Sequence, residues 1–172
     1  MRSNQPVDDF GRSRQRLVEV LGLFTSAYRP AAGRRYSCIE DLVLSHGRWF
    51  TPSPLPTDRR PGPQQRCFAN ASAHAVIYGL TYVEGYATAA SSAPFPHAWC
   101  ARPDGTVEDP TWGGDGRAYL GIPFTNDFLQ RQDALGELGP LLFDQHITGW
   151  QFLHDGIPGG AVAEVGLPMA DA

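Results

Sequence analysis

Pro94-Phe95-Pro96-His97-Ala98-Trp99-Cys100-Ala101-Arg102-Pro103-Asp104-Gly105-Thr106-Val107-Glu108-Asp109-Pro110-Thr111-Trp112 is the stretch on which the fold turns. Its centre, Arg102-Pro103-Asp104-Gly105, carries the chemistry of a tight connection. Proline pre-sets φ, aspartate follows, and glycine supplies the left-handed residue that closes a three-residue hairpin loop. With Pro103, Asp104 and Gly105 in the loop, Arg102 faces Thr106, Ala101 faces Val107 and Trp99 faces Asp109. His97 lies two residues from Trp99, so it projects from the same face and becomes a diagonal neighbour of Asp109. A two-residue loop of Asp104-Gly105 would move the register by one and send His97 and Asp109 to opposite faces. The Pro-Asp-Gly order favours the longer loop, so the stretch predicts a hairpin that sets an imidazole beside a carboxylate.

Upstream, Gln64-Gln65-Arg66-Cys67 leaves a Pro/Gly-rich coil and enters Phe68-Ala69-Asn70-Ala71-Ser72-Ala73-His74-Ala75-Val76-Ile77-Tyr78-Gly79. Residues 68–78 are small and apolar, and Gly79 stops them: a buried helix. Cys67 falls at its first turn, where the helix dipole, the free N–H groups and a nearby imidazolium stabilise a thiolate. A thiol, a histidine and an aspartate on three successive elements form an activated-nucleophile arrangement.

Cys67 at the head of a helix, His97-Ala98-Trp99 on a strand and Asp109-Pro110-Thr111-Trp112 on the next strand together resemble the transglutaminase-like branch of the papain-like cysteine enzymes. The resemblance spans residues 64–124, about a third of the chain. It implies an α+β papain-like core, with N-terminal helices and the Cys-bearing helix packed on an antiparallel β-sheet. Residue by residue it implies Cys67 as nucleophile, His97 as base and acid, and Asp109 as the orienting carboxylate. It implies no substrate, because that superfamily holds proteases, amidases, deamidases, acyltransferases and crosslinking enzymes.

The chemistry expected of such a triad is acyl transfer through an acyl-enzyme. The Cys67 thiolate attacks a carbonyl, His97 protonates the leaving amine, and water or a second amine releases the acyl group. Asp109 would hold the imidazole tautomer without taking its proton. The oxyanion needs two donors: the Cys67 backbone N–H, and the side-chain amide of Gln64 or of Gln65. Trp99 and Trp112 are candidates for the site wall, with core filling the simpler role for Trp99. Two other readings compete. One is a zinc site of Cys67, His97 and Asp109, which lacks any C-x-x-C or H-x-x-x-H spacing, Cys100 being sent to the opposite face by strand alternation. The other is a binding module that keeps the fold without catalysis. No cofactor is expected. The expected partner is a peptide, a protein or a small amide or acyl substrate, with hydrolysis favoured over amine transfer and the oligomeric state open.

Composition bounds the rest. A chain of 172 residues is expected to form one domain with a sizeable core. A net charge of −4, interspersed along the chain, invites neither nucleic acid nor an anionic membrane. All 14 basic residues are arginine, so an enzyme joining acyl groups to lysine could not crosslink itself. Three cysteines (Cys38, Cys67 and Cys100), no secretory leader at Met1 and no apolar run of membrane length predict a cytoplasmic protein whose thiols stay reduced.

Along the chain, residues 1–12 read as a loose tail. Leu17, Leu21, Phe24 and Tyr28 recur at helical spacing over residues 13–28, and a second helix is expected over 37–45 with Gly47 as its stop. Cys38 at the head of that helix reads as a packed structural thiol, and His46 in its last turn as a C-terminal cap. The five prolines of residues 51–63 predict an ordered coil that delivers the chain to Cys67. A strand is expected over 80–87, with Glu84 facing solvent or, less simply, serving as a second carboxylate at the site. Residues 88–94 form a candidate mobile loop beside His97. A strand over 118–124, a helix capped by Thr125 and running to about Leu135, and an apolar segment 141–153 of helix or edge-strand type follow. Residues 156–172, rich in Gly, Pro and Ala, read as a second loose tail.

Overall fold

Three long strands, β2 (Thr81–Ala89), β3 (Phe95–Ala101) and β5 (Gly116–Phe124), form the centre of an antiparallel sheet in a computed structural model that describes residues 7–90, 92–134, 140–146 and 149–169. Shorter strands complete it: β1 (Arg48–Phe50), β4 (Val107–Glu108) and β6 (Leu167–Pro168), in the spatial order β4-β3-β2-β5-β1-β6. The helices are α1 (Val7–Ala27), α2 (Ile39–His46), α3 (Cys67–Tyr78), α4 (Asn126–Ala134) and α5 (Gln151–Asp155). The architecture is α+β. Among the described residues no helix is long and apolar enough to cross a membrane.

Strand alternation sorts the buried side chains into two cores. On one face, Tyr82, Tyr86, Ala98, Cys100, Leu120, Ile122 and Phe124 meet the apolar sides of the helices, including Leu17 and Leu21 of α1, Leu42 and Val43 of α2, and Ala71 and Ala75 of α3. On the other, Val83, Ala87, Trp99, Ala101, Val107 and Tyr119 close around Phe50, with Trp112 and Val165 packed against them. Two glycines make room on this second face. Gly85 pairs with both His97 and Gly121, and a Cβ on Gly121 would stand 2.7 Å from the Trp99 ring and 2.5 Å from the Glu84 carbonyl oxygen. The tryptophan lies where a side chain would otherwise be.

The β3–β4 hairpin has the register its loop dictates. Ala101 pairs with Val107 and Cys100 with Glu108, the Arg102 N–H donates to the Thr106 carbonyl at 2.9 Å, and Gly105 is left-handed at φ +81°. Beyond Glu108 the expectation of a strand running on through Trp112 is corrected. Proline at 110 has no N–H for a ladder, and β4 ends after two residues. Asp109-Pro110-Thr111-Trp112 turns instead.

Other boundaries shift. The first helix begins at Val7, so the expected loose tail of residues 1–12 is helical from there, residues 1–6 lying outside the described set. Residues 88 and 89 belong to β2, and of the expected mobile loop 88–94 only a short connection remains, Ser91 lying outside the described residues. Thr125 caps α4 through its hydroxyl, which accepts the Phe128 N–H at 3.4 Å; Leu135 is again outside the described residues. The segment 141–153 resolves into a turn at 141–146 and the start of α5, with Ile147 and Thr148 outside the described residues. The tail expected from residue 156 is corrected over residues 156–169. Thr125 N–H donates to Ala161 O (2.8 Å), Ala163 N–H to Pro123 O (2.9 Å), the Arg48 guanidinium to Gly166 O, and β6 closes the sheet beside β1.

The proline-rich coil is ordered by partners of its own. Val107 N–H donates to Thr51 O, Leu55 N–H to Gly113 O and Gly62 N–H to Pro110 O, at 2.7–2.9 Å. It therefore lies against the turn that follows β4.

Candidate active site

Asp109 is fully buried, and four donors converge on its carboxylate. Oδ2 accepts from His97 Nε2 at 2.7 Å and from the Tyr119 hydroxyl at 2.9 Å, while Oδ1 accepts the N–H groups of Thr111 (2.8 Å) and Trp112 (3.0 Å). The last two bonds make an Asx-type turn, the local structure an Asp-Pro sequence favours once the strand has ended. Burial pushes the Asp109 pKa up, but the bond and charge of His97 and the two N–H groups outweigh it, and the net displacement is below the ordinary carboxylate value. Asp109 is held ionised.

His97, on β3, is 1% exposed. Burial pulls its pKa down, while Asp109 and then the Cys67 thiol raise it, for a net value above ordinary histidine. Its ring stacks on Trp112 at 4.0 Å between centroids and 16° between planes, with Trp99 on the same stack at 6.3 Å and 20°. An indole face also favours the cationic ring. Since Nε2 is committed to Asp109, the chemistry belongs to Nδ1, which is buried and has no hydrogen-bond partner among the described residues. The Cys67 thiol lies near enough to this ring to contribute to raising its pKa.

Cys67 opens α3 and is half-buried. The helix packs on the sheet face opposite to His97: Ala71 and Ala75 sit in the helical core, and the Cys100 thiol donates to the Ala71 carbonyl at 3.1 Å. A thiol on the helix side can meet an imidazole on the other face only around the sheet's edge, and β4 has ended by that point. No acidic side chain stands in the first turn of α3 and the side chain of Arg66 at its N-cap makes no capping bond, so among the described residues no capping side chain competes with an anion for its first N–H groups. Gln65 precedes the helix at φ +62°, a left-handed conformation that costs a non-glycine residue about 1 kcal/mol or more.

What over-determines that strained approach is the turn after Asp109. Gln64 Nε2 donates to Thr111 O at 3.3 Å. Asn70 Nδ2 donates to the Thr111 hydroxyl at 2.9 Å and to Pro63 O at 2.8 Å. Of the two oxyanion candidates, Gln64 therefore has an N–H engaged as a tether, whereas Gln65 is exposed and lines an adjoining groove. Of the two wall candidates, Trp112 is the partly exposed slab against His97. Trp99 is core, fully buried between Phe50 and Tyr119 with its Nε1 unbonded among the described residues.

The other two thiols are placed differently. Burial pushes the pKa of Cys38 up and that of Cys100 well up. His46, expected as a helix cap, instead bonds the Tyr36 hydroxyl, and burial followed by the Arg35 charge lowers its pKa. Glu84 is corrected outright. It faces neither solvent nor His97 but is completely buried on the helical side, accepting the N–H groups of Leu141 (2.6 Å) and Leu142 (2.8 Å) and the Tyr82 hydroxyl (2.8 Å).

The hairpin also carries a feature that its residue pattern does not announce. Glu108 is buried and bonds three cations or potential cations: His74 of α3 at 2.9 Å, Arg102 at 2.7 Å and Arg59 of the coil at 3.1 Å. Burial alone would raise its pKa, but these partners bring it below the ordinary value. Cys67 and His74, seven residues apart, share one face of α3, so this cluster pins the far half of the helix whose head carries the thiol.

Among the described residues no group of three or more His, Cys, Asp or Glu side chains is placed to hold a metal ion. Compared with known proteins, the chain matches no family model, no curated protein and no solved structure.

Proposed function

We propose that the protein is a thiol-dependent acyl-transfer enzyme of the transglutaminase-like, papain-like kind, cleaving amide or related acyl bonds through an acyl-enzyme on Cys67. The observation that carries this reading is the division of labour on the His97 ring. Nε2 is locked to a buried, four-fold-bonded Asp109, while Nδ1 is buried without a hydrogen-bond partner among the described residues and the half-buried Cys67 thiol lies close enough to raise the pKa of the ring.

In this mechanism the Cys67 proton resides on Nδ1, giving a thiolate–imidazolium pair. Sulfur attacks the acyl carbon, the carbonyl π-electrons move to oxygen, and the oxyanion is met by open N–H groups at the head of α3. Removing one such donor costs about 3 kcal/mol in related sites. As the tetrahedral intermediate collapses, Nδ1–H protonates the leaving group and neutral imidazole remains. Water, deprotonated by Nδ1, then attacks the thioester and returns Cys67; an amine in place of water gives transfer. Asp109 keeps its charge throughout, fixing the ring and favouring its cationic form. An antiparallel sheet with a helix headed by the thiol supports the papain-like reading.

The test is alkylation by iodoacetamide followed by mapping of the labelled cysteines. Cys67 is expected to react at least tenfold faster than Cys38 and Cys100 near neutral pH, and His97→Ala to remove the advantage. Equal reactivity of the three thiols in the native protein would overturn the proposal.

A further inference from the structure

A groove of about 760 Å³ runs along the outer side of α3, a volume in the range of small-molecule sites. Neither Cys67 nor His97 lines it. Its floor is Ala69, Ala73 and Val76, on the side of the helix turned away from the face that Cys67 and His74 share. Leu129 of α4 and Leu141 make the opposite wall. Val76 is 83% and Ile77 68% exposed, a cost in water that a bound apolar group would relieve. At the head of the groove stands Arg66. Its side chain is exposed, makes no capping bond, and among the described residues has no carboxylate paired with it.

We infer that this groove is a binding site, separate from the proposed catalytic centre, for a small amphipathic monocarboxylate, its carboxylate on the Arg66 guanidinium and its unbranched apolar tail along α3. The inference does not depend on the thiol reading. Charge and backbone chemistry select this occupant. No acidic side chain lines the groove, so the guanidinium calls for an anion from outside, and its planar fork matches a carboxylate. A second copy packed α3 on α3 would not bring one, because residues 67–78 contain no aspartate or glutamate. An extended peptide would find nothing to accept from along the floor, where the N–H groups of Ala73 and Val76 are bonded within the helix. The Tyr82 hydroxyl, which also reaches the groove, already donates to Glu84. Length bounds the tail. From Phe68 to Ile77 a helix rises about 13 Å. An extended hydrocarbon advancing roughly 1.3 Å per C–C bond of ~1.5 Å covers that in about ten carbons.

The experiment titrates the whole chain with sodium hexanoate, octanoate and decanoate and with 1-decanol, each below its aggregation limit, by calorimetry. Affinity is expected to rise two- to fourfold per methylene up to decanoate, and decanol to bind at least tenfold more weakly than decanoate. Arg66→Gln is expected to remove the difference between decanoate and decanol, and Arg66→Lys to restore part of it. Ala73→Trp, an exposed position halfway along the floor, is expected to weaken decanoate at least tenfold. Val76→Asp repeats that test at the far end should the first variant misfold. Cys67→Ser is expected to leave decanoate binding unchanged, whether or not the thiol is catalytic. Loss of binding in Cys67→Ser would place the carboxylate at the thiol and overturn the separate site. Equal affinity for decanoate and decanol in the native protein would remove the role of Arg66 and the inference with it. Binding untouched by both floor substitutions puts the ligand elsewhere. A dimer that Val76→Asp dissociates, with no decanoate bound, assigns the groove to a second copy and equally overturns the proposal.

Discussion

Asn70, on the helix that carries Cys67, donates a hydrogen bond to the Thr111 hydroxyl 2.9 Å away, while the Thr111 N–H donates to Asp109. The nucleophile's helix and the carboxylate's turn are thus fastened through one threonine. Asn70→Ala removes the bonds to Thr111 and Pro63 together and leaves a nearly buried hydroxyl short of a partner. The expected cost is about 1–3 kcal/mol in urea unfolding. If the fastening sets the thiol against the ring, selective alkylation of Cys67 also falls, whereas a purely structural Asn70 would lower stability and leave the selectivity untouched.

The His97–Asp109 pair makes stability depend on pH from both sides. A histidine raised in the folded state contributes stability that is fully present below its unfolded pKa, about 6.5, and lost as pH rises through the folded value. An aspartate lowered in the folded state contributes stability present above its unfolded value, about 3.9, and lost as pH falls through the folded one. The pair's contribution should therefore be greatest between roughly pH 4 and 6.5. Asp109→Asn is expected to flatten both limbs and to bring the His97 ring titration, followed by NMR, below its native value. An unmoved His97 titration would show that Asp109 does not control the imidazole.

How far the sequence carried these conclusions depends on how local the cause was. Pro103-Asp104-Gly105 acts within its own loop, so the register of Ala101 against Val107, and with it the shared face of His97 and Asp109, is legible in the amino-acid order alone. Gly79 and Thr125 ended and began helices for equally local reasons. Tyr119 could not be foreseen as a fourth donor to Asp109, because it arrives from β5, two strands away from β3 through β2. Glu84 and Glu108 looked like ordinary strand acids; only the turn at Leu141 and the side chains of Arg59, His74 and Arg102 make their burial possible. The stretch after Asp155 has the composition of a tail, yet its backbone is held by Pro123, Thr125 and Arg48, partners that composition does not reveal.

Gly121 tests whether the face behind the histidine is packed as tightly as the contacts imply. Gly121→Ala drives a methyl into the Trp99 ring and the Glu84 carbonyl, and backbone on the neighbouring strand cannot step aside. A loss of about 1–3 kcal/mol is expected, typical of overpacking, with a changed near-ultraviolet circular dichroism signal from Trp99. A neutral substitution would mean that the sheet is looser there than described.

Glu84 supplies a pH dependence of the opposite sign to that of Asp109. Burial raises its pKa to about 7 against the opposing bonds from Leu142, Leu141 and Tyr82, so the folded protein holds a proton that the unfolded chain has released. Its contribution is complete below the unfolded value, about 4.3, and is lost as pH rises to about 7. The amount is roughly 4 kcal/mol at 1.4 per pKa unit. Glu84→Gln cannot ionise, so its unfolding free energy should lack this decline between about pH 4.3 and 7, even if the variant is less stable at every pH for want of one acceptor. Parallel pH profiles for the two proteins would show that Glu84 is not the titrating group.

The cluster on Glu108 should reveal itself as coupling rather than as a sum. Glu108→Gln keeps the shape but removes the charge shared by His74, Arg59 and Arg102, and breaking a buried pair of this kind costs about 3–5 kcal/mol. Once that charge is gone, His74→Ala has less left to lose. The double variant should therefore fall short of the summed single losses by about 0.5–3 kcal/mol in urea unfolding. Additive losses would mean that His74 is held by its ring contact with Tyr78, at 4.5 Å, and that Glu108 serves only the two arginines.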